Sequence, residues 1–407
     1  MNRRKLLASL GALGVAGLTA RPERSAAAQF MLGGDVFAQD AWRQLEGRSI
    51  GIITNQSGVT SSGESIVDVA LRNPAISVKA LYAPEHGLRG DRPAGAYVPS
   101  YTDPRTGLPV YSLYGATRHP TAEMLEGVDV LLFDIQDVGS RAYTYISTMA
   151  YAMQGAAEHG KTFWVLDRPN PVGGVNVEGP VLDPRFSSFI GLYPIAMRHG
   201  MTIGELARMF NDAFGIGAPL HVVPMRGWTR ATIWPQTNLS WIRTSPNMPT
   251  WETTFVYLCT GLIANAGVNN GVGTSAPFFY AGTFGLDGDA YAAALSKRPQ
   301  AGVAFPSASW SPSSGFWKDR TLAGVRLDVT NPSAFLPVTA SVELLVALRD
   351  TAPHALKIEP ALLDRDWGTD SLRLGLQQGL EADAIVGGWQ GELARFKERR
   401  QRYLLYV

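Results

Sequence analysis

Five apolar runs interleaved with helical patterns constrain this chain more than any other feature. They are SIGIIT (49–54), SVKALYA (77–83), VDVLLFDI (128–135), TFWVLD (162–167) and LHVVPM (220–225). Between them lie GESIVDVALRN, YTYISTMAYAMQGAAEHG and MTIGELARMFNDAFG, each with helical spacing. The last places Thr202 and Glu205 at capping-box spacing, a strong helix start. Continuous apolar strands alternating with helices predict a parallel sheet covered on both faces, because such strands must be buried from two sides.

After residue 245 the pattern changes. TSPNMPT (244–250) is a proline-punctuated connector, followed by a Gly/Asn-rich stretch (264–274) and a loop rich in Ser, Pro and aromatics (305–317). TLAGVRLDVTN reads as a strand, helices follow at 337–349 and 369–381, and ELARFKERRQRYLLYV closes the chain as a helix running into an apolar tail. The expected division is an α/β domain over 40–245 and a smaller α+β domain over 246–407. A chain of 407 residues, 45% apolar, is too long for one small core, which agrees with two domains.

The formal charge of +1 gives no reason to expect a polyanionic partner and argues against nucleic-acid binding. Residues 1–28 read as an export signal, with a basic start, an apolar stretch from Leu6 to Leu18 and small residues up to Ala28. Arg3-Arg4 followed by Lys5-Leu6-Leu7 gives it a twin-arginine character, and the expected location is periplasmic or secreted. The apolar stretch is too short and Gly-rich for a stable membrane span. Cys259 is the single cysteine, set in FVYLCTGLI as buried filler, so no internal disulfide can form. No Cys/His cluster or HExxH spacing is present, and the expectation is neither metal nor cofactor.

Ligands of open parallel sheets bind at the carboxyl ends of the strands. The first four strands are followed by TNQSG (54–58), PEHGLRG (84–90), DIQDVGSRAYTY (134–145) and DRPNPVGG (167–174), all polar and turn-forming, and all expected on one rim. A G-x-S-x-G elbow is absent, as is G-x-G-x-x-G at the first strand, which argues against a serine nucleophile and a dinucleotide. What remains is carboxylates with amides, arginines and tyrosines, a mixture suited to a polyhydroxylated anionic substrate such as an acidic sugar.

Glu85 is the candidate general acid, since it follows the apolar strand end at Pro84, where partial burial favours the protonated form. His86 either holds Glu85 or a sugar hydroxyl, or shapes the turn. Asp134 and Asp137 are candidates for the second catalytic carboxylate, with one facing the pocket while the other caps the next helix. Arg141 is placed to clamp a carboxylate, Asp167 and Arg168 to pair with each other, and Asn170 to form a turn that also touches ligand. Arg198 and His199 precede a helix start, which makes an anion site, and Asn247 sits at the domain junction.

Taken together, APEHGLRG, YGATRHPT, FDIQDVGSRAYTYISTM, LDRPNPVGG, EGPVLD, RHGMTIGELARMFN and TSPNMPT closely resemble the exo-β-N-acetylmuramidase family, also known as the DUF1343 proteins. The resemblance runs from about residue 45 to the terminal YLLY. It implies a Rossmann-like first domain, a smaller second domain, a cleft between them, and release of terminal N-acetylmuramic acid from peptidoglycan fragments. It carries the acid onto Glu85 and implies a pocket lined by His86, Arg118, Asp134, Gln136, Arg141, Tyr143, Asp167, Asn170, Arg198 and Asn247. The lactyl carboxylate of muramic acid would account for the arginines. One stretch departs from the family pattern. Where relatives read E-G-T-N-x-S-E-G-R-G-T, this chain reads ANAGVNNGVGT (264–274), with Ala264 and Asn270 in place of two glutamates and Val272 in place of the arginine. Three functions stay open at this level: an exported muramidase with Glu85 as acid, a non-catalytic periplasmic binder of muropeptides, and an exported amidase or esterase.

Overall fold

The computed structural model describes residues 30–407, so the export-signal reading of residues 1–28 lies outside the described residues. The strands of the first domain are β1 (Ser49–Thr54), β2 (Ser77–Ala83), β3 (Tyr101–Thr102), β4 (Pro109–Ser112), β5 (Val130–Asp134) and β6 (Thr162–Leu166). Then come β7 (Glu178–Val181), β8 (Ala196–Arg198) and β9 (Leu220–Val223). Seven of these form one sheet in the order β3-β4-β2-β1-β5-β6-β9, while β7 and β8 form a separate antiparallel hairpin. All pairs in the sheet are parallel except β3 with β4. The five apolar runs are therefore the five central and right-hand strands. β3 and β4 leave no clear hydrophobic pattern, because β3 has two residues, both exposed, and β4 has only four.

The order places the ligand crevice. The chain builds outward from β1 through β2 to β4, then returns to lay β5 on the other side of β1. The direction of strand succession reverses beside β1, and the loops leaving β1 and β5 diverge there. Burial explains why these strands hold. Ile50, Ile52, Ile53 and all five residues of β5 are sealed from solvent. Gly51 lets the sheet accept Tyr82 of β2, whose ring would lie 2.6 Å from a side-chain carbon at that position. The predicted capping box is formed. The Glu205 N–H donates to Thr202 Oγ1 (3.3 Å) and the Thr202 N–H to Glu205 Oε2 (3.0 Å), starting helix Ile203–Ala213.

The second domain is smaller and mixed. Strands Tyr280–Thr283, Leu322–Arg326 and Ser307–Trp310 form an antiparallel sheet with the second in the middle. Helix Pro337–Thr351 is its spine, with Val342 and the run Leu344–Leu348 fully buried. One apolar core runs unbroken from the sheet face carrying Tyr82, Phe133 and Phe163 to Leu344, Trp367 and Phe396 of the second domain. The opposite face packs a smaller core around Phe37, Ile66 and Trp164. The C-terminal tail crosses back to the first domain, where Tyr406 donates to Asp167 (2.5 Å) and the Leu405 N–H to Glu205 (2.8 Å). No described helix is long and apolar enough to cross a membrane.

Candidate active site

Glu85 leaves β2 through a turn held in an unusual backbone. His86 (φ 70°) and Gly87 (φ 78°) are both left-handed, a conformation that costs a non-glycine residue of order 1 kcal/mol or more. His86 is kept there by its own bonds: its Nδ1 lies 2.8 Å from the Arg92 carbonyl, and its carbonyl accepts from the Arg92 N–H at 3.2 Å. Thus His86 folds the loop that presents Glu85. The Glu85 side chain is buried, its Oε1 accepting from the Gly95 N–H (2.8 Å) and its Oε2 from Thr144 Oγ1 (2.7 Å).

Tyrosines from both domains surround this carboxylate. Tyr143 bonds Thr244 Oγ1 at 2.7 Å and meets Tyr145 and Tyr257 edge-on, with centroids 5.0 and 5.8 Å apart. Tyr257 comes from helix Glu252–Thr260 across the domain junction. Burial pushes the phenols of Tyr143 and Tyr257 well up, and the charges of Glu85 and Asp137 push both further. Two carboxylates therefore bear on one tyrosine cluster. Burial and Glu85 also raise the Tyr114 phenol, with Arg118 opposing. The exposed Arg118 guanidinium lies over Phe189 (4.0 Å) and Tyr114 (5.3 Å), which puts a cation beside the acid.

Asp137 is buried, and only one of its oxygens is engaged. Oδ2 accepts from the Gly139 N–H (2.8 Å) and faces His199 Nε2 at 3.6 Å, while Oδ1 has no partner. The Met201 N–H donates to His199 Nδ1 (3.1 Å), so the neutral ring carries its proton on Nε2, toward Asp137. Asn55 follows β1 at the neighbouring strand end, its side chain within hydrogen-bonding reach of Tyr145. Its Oδ1 accepts from the Ser57 N–H (2.9 Å) and hydroxyl (2.6 Å), and its amide is buried toward the Tyr145 phenol. Ser57 Oγ in turn accepts from the Gln136 N–H (3.0 Å), joining the two strand ends. Asn247 is half-buried in the 244–250 connector, which Tyr143 and Tyr145 fasten through Thr244.

Several expected pocket residues are internal struts. Asp134 is fully buried and held by Arg168 at 2.5 and 2.8 Å, so neither oxygen is open to chemistry. This also corrects the expected Asp167–Arg168 pair, since only the Arg168 backbone N–H reaches Asp167 (2.9 Å). Asp167 accepts further from Thr202 Oγ1 (2.8 Å), the Gly204 N–H (2.7 Å) and Tyr406; burial pushes it up to about 7 while these donors oppose. Gly204 is needed for that approach, because a side-chain carbon there would lie 2.8 Å from the Asp167 carboxyl carbon. Gln136 Nε2 donates to the Asp137 and Pro169 carbonyls (2.7 and 2.8 Å), and Asn170 Nδ2 to that of Met201 (3.0 Å).

Arg141, pushed down to about 10 by burial, donates to the carbonyls of Pro180 (3.0 Å) and Asp366 (3.2 Å) and ties the two domains together. Arg198 pairs with Glu178 (2.6 Å) and donates to the Val172 carbonyl (2.8 Å) instead of forming an anion site. In the altered stretch, Ala264 is exposed, and Asn270 turns inward to donate to the Thr260 carbonyl (3.1 Å). Residues not singled out beforehand are Asn55, Tyr114, Thr144 and Tyr257. Asn55 lies within the polar strand end TNQSG, whereas Tyr257 is hidden in an apolar helix. Among the described residues, no group of three or more His, Cys, Asp or Glu side chains could hold a metal ion.

The fold and the cleft define a two-domain α/β protein with a buried acid at the sheet's carboxyl edge, facing tyrosines from both lobes. Comparison with known proteins narrows this class. Family models described as exo-β-N-acetylmuramidase NamZ, N-terminal and C-terminal, match residues 50–252 and 255–406, and the chain belongs to this glycosidase family. It is 44% identical over 373 residues, 91% of this chain and 90% of the other, to peptidoglycan β-N-acetylmuramidase NamZ of Bacillus subtilis (strain 168). A crystal structure of a DUF1343 family protein from Bacteroides fragilis NCTC 9343 superposes with a TM-score of 0.87 at 35% identity, covering 93% of this chain and 99% of that one. A second DUF1343 protein from the same organism has a TM-score of 0.73 at 26% identity, with the same coverage.

Proposed function

We propose that this protein is an exported exo-acting glycoside hydrolase that releases terminal N-acetylmuramic acid from peptidoglycan fragments, with Glu85 as the general acid. The observation that carries this is the pairing of the buried Glu85 with Thr144. A hydroxyl can donate to the carboxylate or accept from the acid, so Thr144 serves both protonation states of a group that must lose and regain a proton. Arg118 stands beside the acid as partner for the lactyl carboxylate. Asp137 takes the part of the second carboxylate, and Asn247 in the domain connector completes the cleft. Export follows from the twin-arginine reading of residues 1–28 and puts the enzyme in the periplasm or outside the cell, where its substrate lies.

A second reading has one observation in its favour. Positions 264, 270 and 272 carry no charge, and Asn270 is spent on an internal bond, as a binder without catalysis would tolerate. Incubating the purified protein with an aryl β-N-acetylmuramide separates the two. Aglycone release supports the hydrolase; absence of release together with calorimetric binding of N-acetylmuramic acid supports the binder.

A further inference from the structure

Three aromatic side chains of the second domain meet at its surface. Phe284 follows strand Tyr280–Thr283, and Phe316 and Trp317 belong to the loop before strand Leu322–Arg326. Trp317 touches both of the others, with ring centroids 5.6 Å from Phe284 and 5.1 Å from Phe316. Phe284 and Phe316 are 49% and 54% exposed. Single apolar side chains on a surface are ordinary, but a contiguous group marks a place that meets another molecule. The loop is built to hold the rings there. Trp317 (φ 67°) and Asp319 (φ 58°) are left-handed, a strain that a residue as bulky as tryptophan keeps only when its surroundings enforce it. Asn269 Nδ2 donates to the Phe316 carbonyl (2.8 Å), and the Ser313 N–H and hydroxyl both donate to the Gly273 carbonyl (2.8 Å each). A side-chain carbon at Gly273 would lie 2.6 Å from the Ser314 carbonyl oxygen, so only glycine lets the loop approach.

These anchors belong to the stretch 264–274 that departs from the family pattern, with Asn269 in place of its serine. The same stretch holds Lys357, whose N–H donates to the Ala266 carbonyl (2.9 Å). It also packs on the helix that carries Tyr257, since Asn270 bonds the Thr260 carbonyl and Phe278 meets the Tyr257 ring edge-on at 5.0 Å. The surface rings and the tyrosine wall of the cleft are thus fastened to one segment. The surroundings of the rings are basic. Arg320 lies 5.5 Å from the Phe284 centroid and Lys357 6.0 Å from that of Trp317, Lys318 is exposed beside them, and Asp319 is the one carboxylate in the loop 311–320.

We infer that Phe284, Phe316 and Trp317 form a platform, separate from the acid site, that holds the glycan strand of peptidoglycan, with Arg320, Lys318 and Lys357 meeting its lactyl or stem-peptide carboxylates. The inference takes the identity of the glycan from the hydrolase reading above. A pyranose ring carries C–H groups on its faces and hydroxyls around its rim, so it packs its face on an aromatic ring and keeps its rim in water. Cations set against the rings suit such a ligand, because they meet its carboxylates by charge-assisted bonds. They suit a protein partner less well, since the core of a protein interface is depleted of charge. An enzyme that detaches one sugar from a strand end gains from a second hold on the strand, which raises the local concentration of ends at the cleft.

The test is the double variant Phe284→Ser/Phe316→Ser, which removes half-exposed rings and leaves the core intact. Its affinity for purified peptidoglycan sacculi in co-sedimentation should fall about tenfold or more, the scale on which aromatic anchors act. Its kcat/KM on an aryl β-N-acetylmuramide should stay within about twofold of native, because that substrate has no strand to hold. Arg320→Gln/Lys357→Gln should weaken sacculus binding at low salt and make it less sensitive to added salt. Sacculus binding at native strength in Phe284→Ser/Phe316→Ser would overturn the inference. Equal losses on sacculi and on the aryl substrate would overturn it too, by placing the rings in the acid site. A native dimer that this variant converts to monomer in sedimentation equilibrium, with sacculus binding unchanged, would assign the rings to a second copy of the chain instead. No aglycone release by the native protein would sink the hydrolase reading, and the sacculus measurement would then decide the platform by itself.

Discussion

Replacing Arg168 by leucine separates a structural ion pair from a catalytic one. Arg168 and Asp134 are 3% and 0% exposed and meet through two bonds of 2.5 and 2.8 Å, and Arg168 also donates to the Val59 carbonyl at 2.7 Å. Removing one partner of such a pair strands the other charge in low dielectric, and the expected loss is about 3–5 kcal/mol. Removing both, in Asp134→Leu/Arg168→Leu, takes the uncompensated charge away, and the double variant should recover to within about 2 kcal/mol of the native protein. Urea unfolding followed by tryptophan fluorescence measures both. The kcat of the folded fraction should stay within about threefold of native in the single and the double variant, because neither side chain is open to substrate. The reasoning is refuted if Arg168→Leu unfolds at the native urea concentration, or if the folded double variant loses kcat by orders of magnitude.

Other consequences follow from the same geometry. Arg118→Ala should raise KM for muramides about 10- to 100-fold, the worth of a charge-assisted hydrogen bond, with a smaller effect on substrates lacking the lactyl carboxylate. Asp167 has its folded pKa pushed up to about 7, above the ordinary carboxylate value of about 4, so between these pH values the native state binds more protons than the unfolded chain. Stability should therefore decline as pH rises from about 4 to about 7, and Asp167→Asn should flatten that slope in thermal melts. Tyr406→Phe removes one donor from Asp167 and the oxygen that accepts the Met225 N–H (2.9 Å), and should cost about 2–4 kcal/mol in urea unfolding with kcat unchanged.

Strands β1, β5 and β6 could be read from the chain because they are buried on both sides and so written in unbroken apolar runs, and the edge strand β9 because its short run LHVV is itself apolar. β3, β4 and the β7–β8 hairpin could not, since YT, PVYS, EGPV and AMR are short and mix polar or proline residues with few apolar ones. The rim was legible as segments and not as residues. A strand end collects polar side chains for two purposes, to meet a ligand and to satisfy the backbone groups that the ending strand and starting helix leave open. Asp134, Asp137 and Asp167 look alike in sequence, yet the first pairs with an arginine, the third gathers donors from a helix start and the C-terminal tail, and only the second keeps a buried oxygen free. Which is which depends on partners 34 to 239 residues away. The same holds for Arg141 and Arg198, whose guanidinium groups are spent on carbonyls and a glutamate that no local motif reveals.

The claim that Glu85 is the proton donor is tested most directly by varying the leaving group in Glu85→Gln. With an aglycone that departs as an alkoxide-like ion and needs a proton, such as a sugar, the variant should lose about 10²–10⁴-fold in kcat/KM, the usual worth of a general acid. With a dinitrophenyl aglycone, which leaves unassisted, first-step turnover should stay near native. Equal losses with every leaving group, or no loss with any, would contradict the assignment of the acid to Glu85.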